Sequence, residues 1–247
     1  MENTTYIFND GTVVKSYDDF GLRKTERTKI SPPKPDAKPF RTPGTNGRRD
    51  YLRLMGAPLT YEPRTLTDVF IYPKRQRVWE ALKSKVYARL NGQTCRIILD
   101  RDPWYYWEGE AEVTDVSDGK DFLKLKVTAT VFPYKYERFS SVEPWLWDPF
   151  SFLDGVIREY GEIEVNGSQA FTIPCLDLAV IPGFWTADAG MGVTYNGISV
   201  SLTQRSSSQE PKVYEQFAAL LLPGGGDQTL TLTGTGTVAI YYRGGRL

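Results

Sequence analysis

The chain has 247 residues, 40% apolar and 24% charged, enough apolar side chain for one large globular domain or two ordinary ones. Its 30 basic and 30 acidic residues cancel, which argues against a general nucleic-acid or membrane-surface binder. It contains no histidine, so Ser-His-Asp and Cys-His nucleophile pairs and His-containing metal sites are excluded, and any chemistry would fall to carboxylates, Lys or Tyr.

From the N-terminus, Met1 to Thr5 lacks the basic and apolar regions of a signal peptide, and no apolar run approaches the ~20 residues of a membrane span. The chain therefore reads as one made and folded in a cytoplasm, with Cys95 and Cys175 as buried, unpaired thiols. Residues Tyr6 to Leu22 predict two short strands around Asn9-Asp10-Gly11. Arg23 to Arg53 is rich in Lys and Arg and is broken by Pro32, Pro33, Pro35, Pro39 and Pro43, which deny it a helix. An extended arm or long loop is expected there, either a solvated connection or an arm lying across a neighbouring subunit.

Leu66 to Tyr72 is β-rich and is stopped by Pro73. Arg75 to Leu90 carries an apolar stripe at helical spacing (Val78, Leu82, Val86) and ends at Asn91-Gly92, so a helix is predicted over about 75–90. Cys95 to Leu99 reads as a strand. Next comes a hairpin from Ala111 to Val131, turning at Ser117-Asp118-Gly119-Lys120 with the Asp-Gly pair that suits a type I′ turn. In its return strand Leu123, Leu125, Val127, Ala129 and Val131 share one face. Lys124, Lys126, Thr128 and Thr130 share the other, which is wet or meets a partner.

Residues 139–160, with Trp145, Trp147, Phe150 and Phe152 among prolines, read as an aromatic-rich linker between domains 1–138 and 161–247. Beyond it every signal is β. Turns are expected at Asn166-Gly167, at Asn196-Gly197 and at Gly234-Thr235-Gly236, giving an antiparallel sandwich.

Few residues suggest chemistry. Asp100, Asp102, Glu108, Glu110 and Glu112 cluster, and Asp100, Asp102 or Glu108 would be the candidates for a carboxylate glycosidase. The alternation of the three glutamates reads better as a charged edge strand. Gly224-Gly225-Gly226 and Gly234-Thr235-Gly236 lack the Lys-Ser/Thr and the helix that a phosphate cradle needs. Asn166-Gly167-Ser168 matches a glycosylation acceptor only incidentally. Trp185, in the loop-like Pro182-Gly183-Phe184-Trp185, would either stack on a sugar ring, as in a carbohydrate-binding module, or pack in a core or interface. No catalytic residue, metal site or cofactor is assigned.

The order of segments in the first half carries a resemblance. Pro43-Gly44-Thr45-Asn46-Gly47-Arg48-Arg49-Asp50-Tyr51 is followed by Tyr61-Glu62-Pro63-Arg64-Thr65-Leu66. Leu90-Asn91-Gly92, Tyr105-Tyr106 and Phe132-Pro133-Tyr134-Lys135-Tyr136 come after. From about Thr25 to Tyr136 this resembles the distal tail (Dit) proteins of long, flexible-tailed bacteriophages. The resemblance implies a mostly-β fold with one helix: an N-terminal belt-type split β-barrel, then a C-terminal galectin-like antiparallel β-sandwich. It implies a non-enzymatic virion protein closing a homo-hexameric ring that joins the tail tube to the tail tip or baseplate. Its partners would be copies of itself, the tail tube protein, a tip or baseplate hub protein and the tape measure protein, with DNA passing only in transit. Lys34, Lys38, Arg41, Arg48, Arg49, Lys124 and Lys126 are the candidate inter-subunit or channel contacts. Cell-surface carbohydrate is the rival partner, through Trp185.

Overall fold

A computed structural model of the chain describes residues 2–41, 49–51, 55, 59–73, 76–144, 158–208 and 211–247. Contacts divide it into two compact units, Met1–Lys135 and Tyr136–Leu247. Both are built of antiparallel β-structure, and among the described residues one α-helix of three turns accompanies them. The mostly-β class expected is what the structure has.

In the first unit β1 (Thr4–Phe8) and β2 (Val13–Lys15) form the opening hairpin, turning through Gly11 at φ 80°. Two short strands follow, β3 (Arg23–Lys24) and β4 (Lys29–Ile30), then a small ribbon of β5 (Pro39–Phe40) and β6 (Arg49–Asp50). The long strands are β7 (Arg64–Tyr72), β8 (Gln93–Leu99), β9 (Asp102–Asp118) and β10 (Leu123–Val131). The sheet order is β2-β1-β8-β9-β10-β7-β3, with β4 also on the outer edge of β7. The sheet curls so that inward residues of every long strand, among them Tyr6, Phe70, Ile97, Trp107, Leu125 and Val127, share one core.

The alternation predicted for β10 is observed: Leu123, Leu125, Val127, Ala129 and Val131 are buried, and Lys124, Lys126 and Thr130 are exposed. Its turn differs from the expectation. β9 ends at Asp118, opposite Leu123, so four residues intervene rather than two. Gly119 has no positive φ; it serves by close approach, since a Cβ there would sit 2.8 Å from the Phe122 carbonyl oxygen.

The helix α1 spans Trp79–Leu90, and only a 3₁₀ turn, Gln76–Val78, stands where its first turn was expected. It buries Trp79, Leu82, Val86 and Leu90 in the core of the curled sheet and ends at Asn91 before Gly92, whose φ of 66° stops it.

The second unit opens with β11 (Lys135–Glu137), whose Glu137 amide donates to the Gly244 carbonyl at 2.9 Å, beside β18 (Gly245–Arg246). Between them run β12 (Ile163–Cys175), β13 (Gly183–Thr186), β14 (Gly192–Tyr195), β15 (Ile198–Ser201), β16 (Glu215–Gln216) and β17 (Gly226–Tyr241). β17 is the axis. β12 lies along one edge for its whole length; β14 takes one half of the other edge and β13 the other half. Ile163, Val165, Ile173, Phe184, Leu230, Leu232, Val238 and Ile240 fill the core. Ser141 and Tyr160, near the described ends of the 139–160 stretch, hydrogen-bond into this unit, the Tyr160 amide to Ser141 and the Ser141 hydroxyl to Ile240. Residues 145–157, including Trp145, Trp147, Phe150 and Phe152, lie outside the described residues.

Two of the three predicted turns are not turns. Asn166-Gly167 lies inside β12 and Gly234-Thr235-Gly236 inside β17, directly opposite one another (Gly167 to Gly234, Asn166 to Thr235). Their φ values of 81°, 116° and 152° are accommodated inside two paired strands, and the ladder continues through them. Asn196-Gly197 is the hairpin turn expected, with φ 48° and 78° at its two residues, joining β14 to β15.

Candidate functional site

The arm of the first unit is a two-stranded ribbon rather than a structureless loop. β4 pairs with Leu66 and Thr67, and the ribbon continues through Ser31 to Thr65, Lys34 to Glu62, and Asp36 to Thr60. Prolines are tolerated because, among the described residues, each strand pairs on one side and needs its amides only on alternate residues. Among residues 31–41 none is buried, so the ribbon takes no part in the core. Lys34 reaches back to Glu62, with Nζ 2.8 and 2.7 Å from the two carboxylate oxygens, a solvated pair worth little. Lys38 and Arg41 are exposed near the ribbon's outer end, where Phe40 meets Tyr51 edge-on. Arg48 and the side chain of Arg49 lie outside what the structure describes.

Lys124 and Lys126 stand elsewhere, on the outer face of the curled sheet. Across β10 the register sets Lys126 beside Asp115, Thr128 beside Glu112 and Thr130 beside Glu110; on the other side stand Val69, Thr67 and Thr65. Thr114 and Thr128 share a hydrogen bond of 2.9 Å. The face is thus a threonine-centred strip with lysines at one end and a row of carboxylates along one side.

That row is not the charged edge the alternation suggested. β9 runs between β8 and β10, so Glu108 and Glu110 project from an interior stretch, and Glu112, one residue past the last β8 pair, is partnered by Thr128 of β10. The candidate carboxylates are each engaged apart from one another. Asp100 accepts the Asn3 amide at 2.6 Å, Asp102 pairs with Lys135 at 2.6 Å, and Glu108 lies 4.0 Å from Arg96. Among the described residues no group of three or more His, Cys, Asp or Glu side chains could hold a metal ion, and no helix is long and apolar enough to cross a membrane.

Trp185 is not on a loop. Pro182 precedes a strand, and Gly183, Phe184, Trp185 and Thr186 are all buried in β13. Phe184 enters the core; Trp185, opposite Ala239, points to the other face of the sheet and is 8% exposed. Lys212 covers its ring, Nζ 4.2 Å from the centroid. A sugar would have to displace that lysine to stack there. Cys95 and Cys175 are buried free thiols, and burial raises them to about 12 and about 11, which leaves them protonated and unreactive near neutrality.

One cluster was not anticipated. Asp68 occupies an inward position of β7 between Leu66 and Phe70 and is wholly buried. Its carboxylate accepts from Thr4 at 2.7 Å and from Thr28 at 2.5 Å. Lys24, with its side chain 5% exposed, lies 3.5 Å from Asp68 and 3.2 Å from Glu2, and donates to Thr28 at 2.8 Å. Burial, with the Asp68 charge nearby, holds the Tyr6 hydroxyl well above the usual tyrosine range. The signal in the sequence was a single acid breaking the apolar alternation Leu66, Phe70, Tyr72.

No family model matches the chain, and no curated protein matches it. Among solved structures the chain is similar to SPP1 Dit (gp 19.1), described as a paradigm of the hub adsorption apparatus in Gram-positive infecting phages. The two correspond over 100% of each chain, with 12% sequence identity and a TM-score of 0.51. The resemblance carried by the motifs between Thr25 and Tyr136 is therefore joined by a likeness in fold to SPP1 Dit over the whole chain.

Proposed function

We propose that this chain is a structural, non-enzymatic protein of a phage tail, closing a six-fold ring that joins the tail tube to the tip or baseplate and leaves a channel for DNA. The observation that carries the reading is the full-length likeness in fold to the SPP1 hub protein. In this reading residues 1–138 are the belt that closes the ring, and residues 161–247 are a galectin-like sandwich. The partners are other copies, the tail tube protein, a hub protein of the tip and the tape measure protein. The protein is made in the host cytoplasm and works in the virion.

A ring needs a heterologous contact repeated until it closes. The first unit offers two surfaces for it, the exposed ribbon carrying Lys38 and Arg41, and the outer sheet face with Lys124 and Lys126. The carbohydrate-binding alternative loses its main support, because the Trp185 ring is covered by Lys212.

Negative-stain electron microscopy of the purified protein, with its mass in solution, tests the proposal. Six-fold rings with an open centre are expected. A protein that stays monomeric alone and with its tail-tube partner would overturn it.

A further inference from the structure

We propose that residues 23–30 form a releasable strap across the open side of the first unit's curled sheet, tied to Asp68 and moving together with the root of the ribbon. From β1 to β7 the sheet is held by continuous backbone ladders. Its open side is held differently. Among the described residues no backbone hydrogen bond joins β1 to β3, β4 or β7. The tie is made of side chains, most of them converging on one carboxylate: Thr4 from β1 and Lys24 and Thr28 from the strap meet Asp68, with Glu2 on the far side of Lys24, and Arg101 from the β8–β9 turn donates to the Thr28 carbonyl at 2.9 Å.

The strap's own backbone holds β7 lightly. β3 and β4 are two residues each, and between them the Thr25 amide bonds the Val69 carbonyl. Beyond the strap, Arg64 fastens the next residue, its Nε donating to the Ser31 carbonyl at 2.7 Å.

Three physical features make this side the one that opens. Short strands lose few ladder bonds on leaving. A buried ion pair regains hydration when exposed, so its separation costs less than uncovering an apolar contact of similar size. The strap contributes no side chain to the fully buried apolar core, and Ile30 only packs at its margin. Because β4 runs directly into the ribbon and β7 receives its return, movement of the strap redirects the ribbon. This does not depend on how, or whether, copies of the chain assemble.

Native-state amide exchange of the isolated protein at pH 7 tests it. Amides of residues 24–31 are expected to exchange through a local opening, with protection at least about tenfold below that of β8–β10 and insensitive to low urea. Asp68→Asn is expected to lower strap protection by about a further tenfold, the worth of one hydrogen bond to a charged group, and to lower it more than that of β8–β10. Thr28→Val, which leaves the Asp68–Lys24 pair in place, gives a second reading should Asp68→Asn fold poorly. Trypsin should cut wild type first at Arg23, Arg27 or Lys29. Strap amides that exchange only with global unfolding, as β8–β10 do, would overturn the proposal.

Discussion

The two units solve the same problem, folding an antiparallel sheet over a core, with different chemistry. In the second, β12 and β17 run 13 and 16 residues without a break, and glycines of positive φ face one another across the pair. The core residues of these strands are apolar: Leu230, Leu232, Val238 and Ile240 of β17 share one core with Ile163, Val165 and Ile173 of β12. In the first unit the ladder shifts register near Lys126 and Val127, and the open side is bridged by Asp68, Lys24 and two threonines inside the core. A glycine of positive φ stores its information in backbone conformation and is strained by any Cβ. A polar bridge stores it in hydrogen-bond partners and fails when one is removed.

The comparison breaks most sharply at its two centres. Asp68→Ala leaves Lys24 buried without its central partner and is expected to destabilise the first unit by about 3–5 kcal/mol. Denaturant melts with exchange protection read on β7–β10 check this; protection in β12 and β17 should not change. Gly234→Ala meets both a φ of 116° and a Cβ 2.8 Å from the Gly190 carbonyl oxygen, and is expected to cost the second unit about 2–4 kcal/mol. If the loss appeared in β8–β10 instead, the units would not be independent in this respect. Gly109→Ala sharpens the contrast. Gly109 has ordinary φ, yet its Cβ would lie 2.0 Å from the Thr130 carbonyl oxygen, and a loss of about 1–3 kcal/mol in the first unit is expected.

Alkaline stability tests both units together. Burial raises Cys95 and Cys175, and with them Tyr6 and Tyr242, above their ordinary values. A pKa raised by folding contributes stability that is complete below the unfolded value, near 9 for a thiol, and is lost as pH rises toward the folded values of about 11 and about 12. The denaturation midpoint should therefore fall between pH 9 and 11, and neither thiol should react with a maleimide at pH 7.5 without unfolding.

The smallest effects on stability belong to the surfaces proposed for assembly. Deleting Lys34 to Thr42 removes ribbon that contributes no buried residue over 34–41, so the fold should survive while ring formation is lost. Lys124→Gln with Lys126→Gln should change stability by no more than about 0.5 kcal/mol, the effect appearing in ring yield and its salt dependence.

Much of this architecture was legible from local patterns. The alternation of β10, the stripe and stop of α1 and the Asn196-Gly197 hairpin depend on residues within one or two turns of each other, where spacing decides which face is buried. Asp68 was legible only as an anomaly, an acid on an apolar face, because its partners Thr4 and Thr28 lie 64 and 40 residues away.

What the tertiary structure alone decided are the neighbours. Gly234 and Gly236 suit a turn as well as a strand interior, and it is the pairing of β17 with β12 along its length, Gly167 opposite Gly234, that keeps them inside a strand. Glu108, Glu110 and Glu112 alternate equally well on an edge or an interior strand, and it is β8 and β10 on either side that settle which. Trp185 carries the same side chain on a loop or on β13; the covering Lys212, distant in sequence, turns a sugar-stacking candidate into a packed one. Periodicity along a chain determines which side of a strand faces inward, whereas pairing and cover depend on segments that meet only when the whole sheet curls.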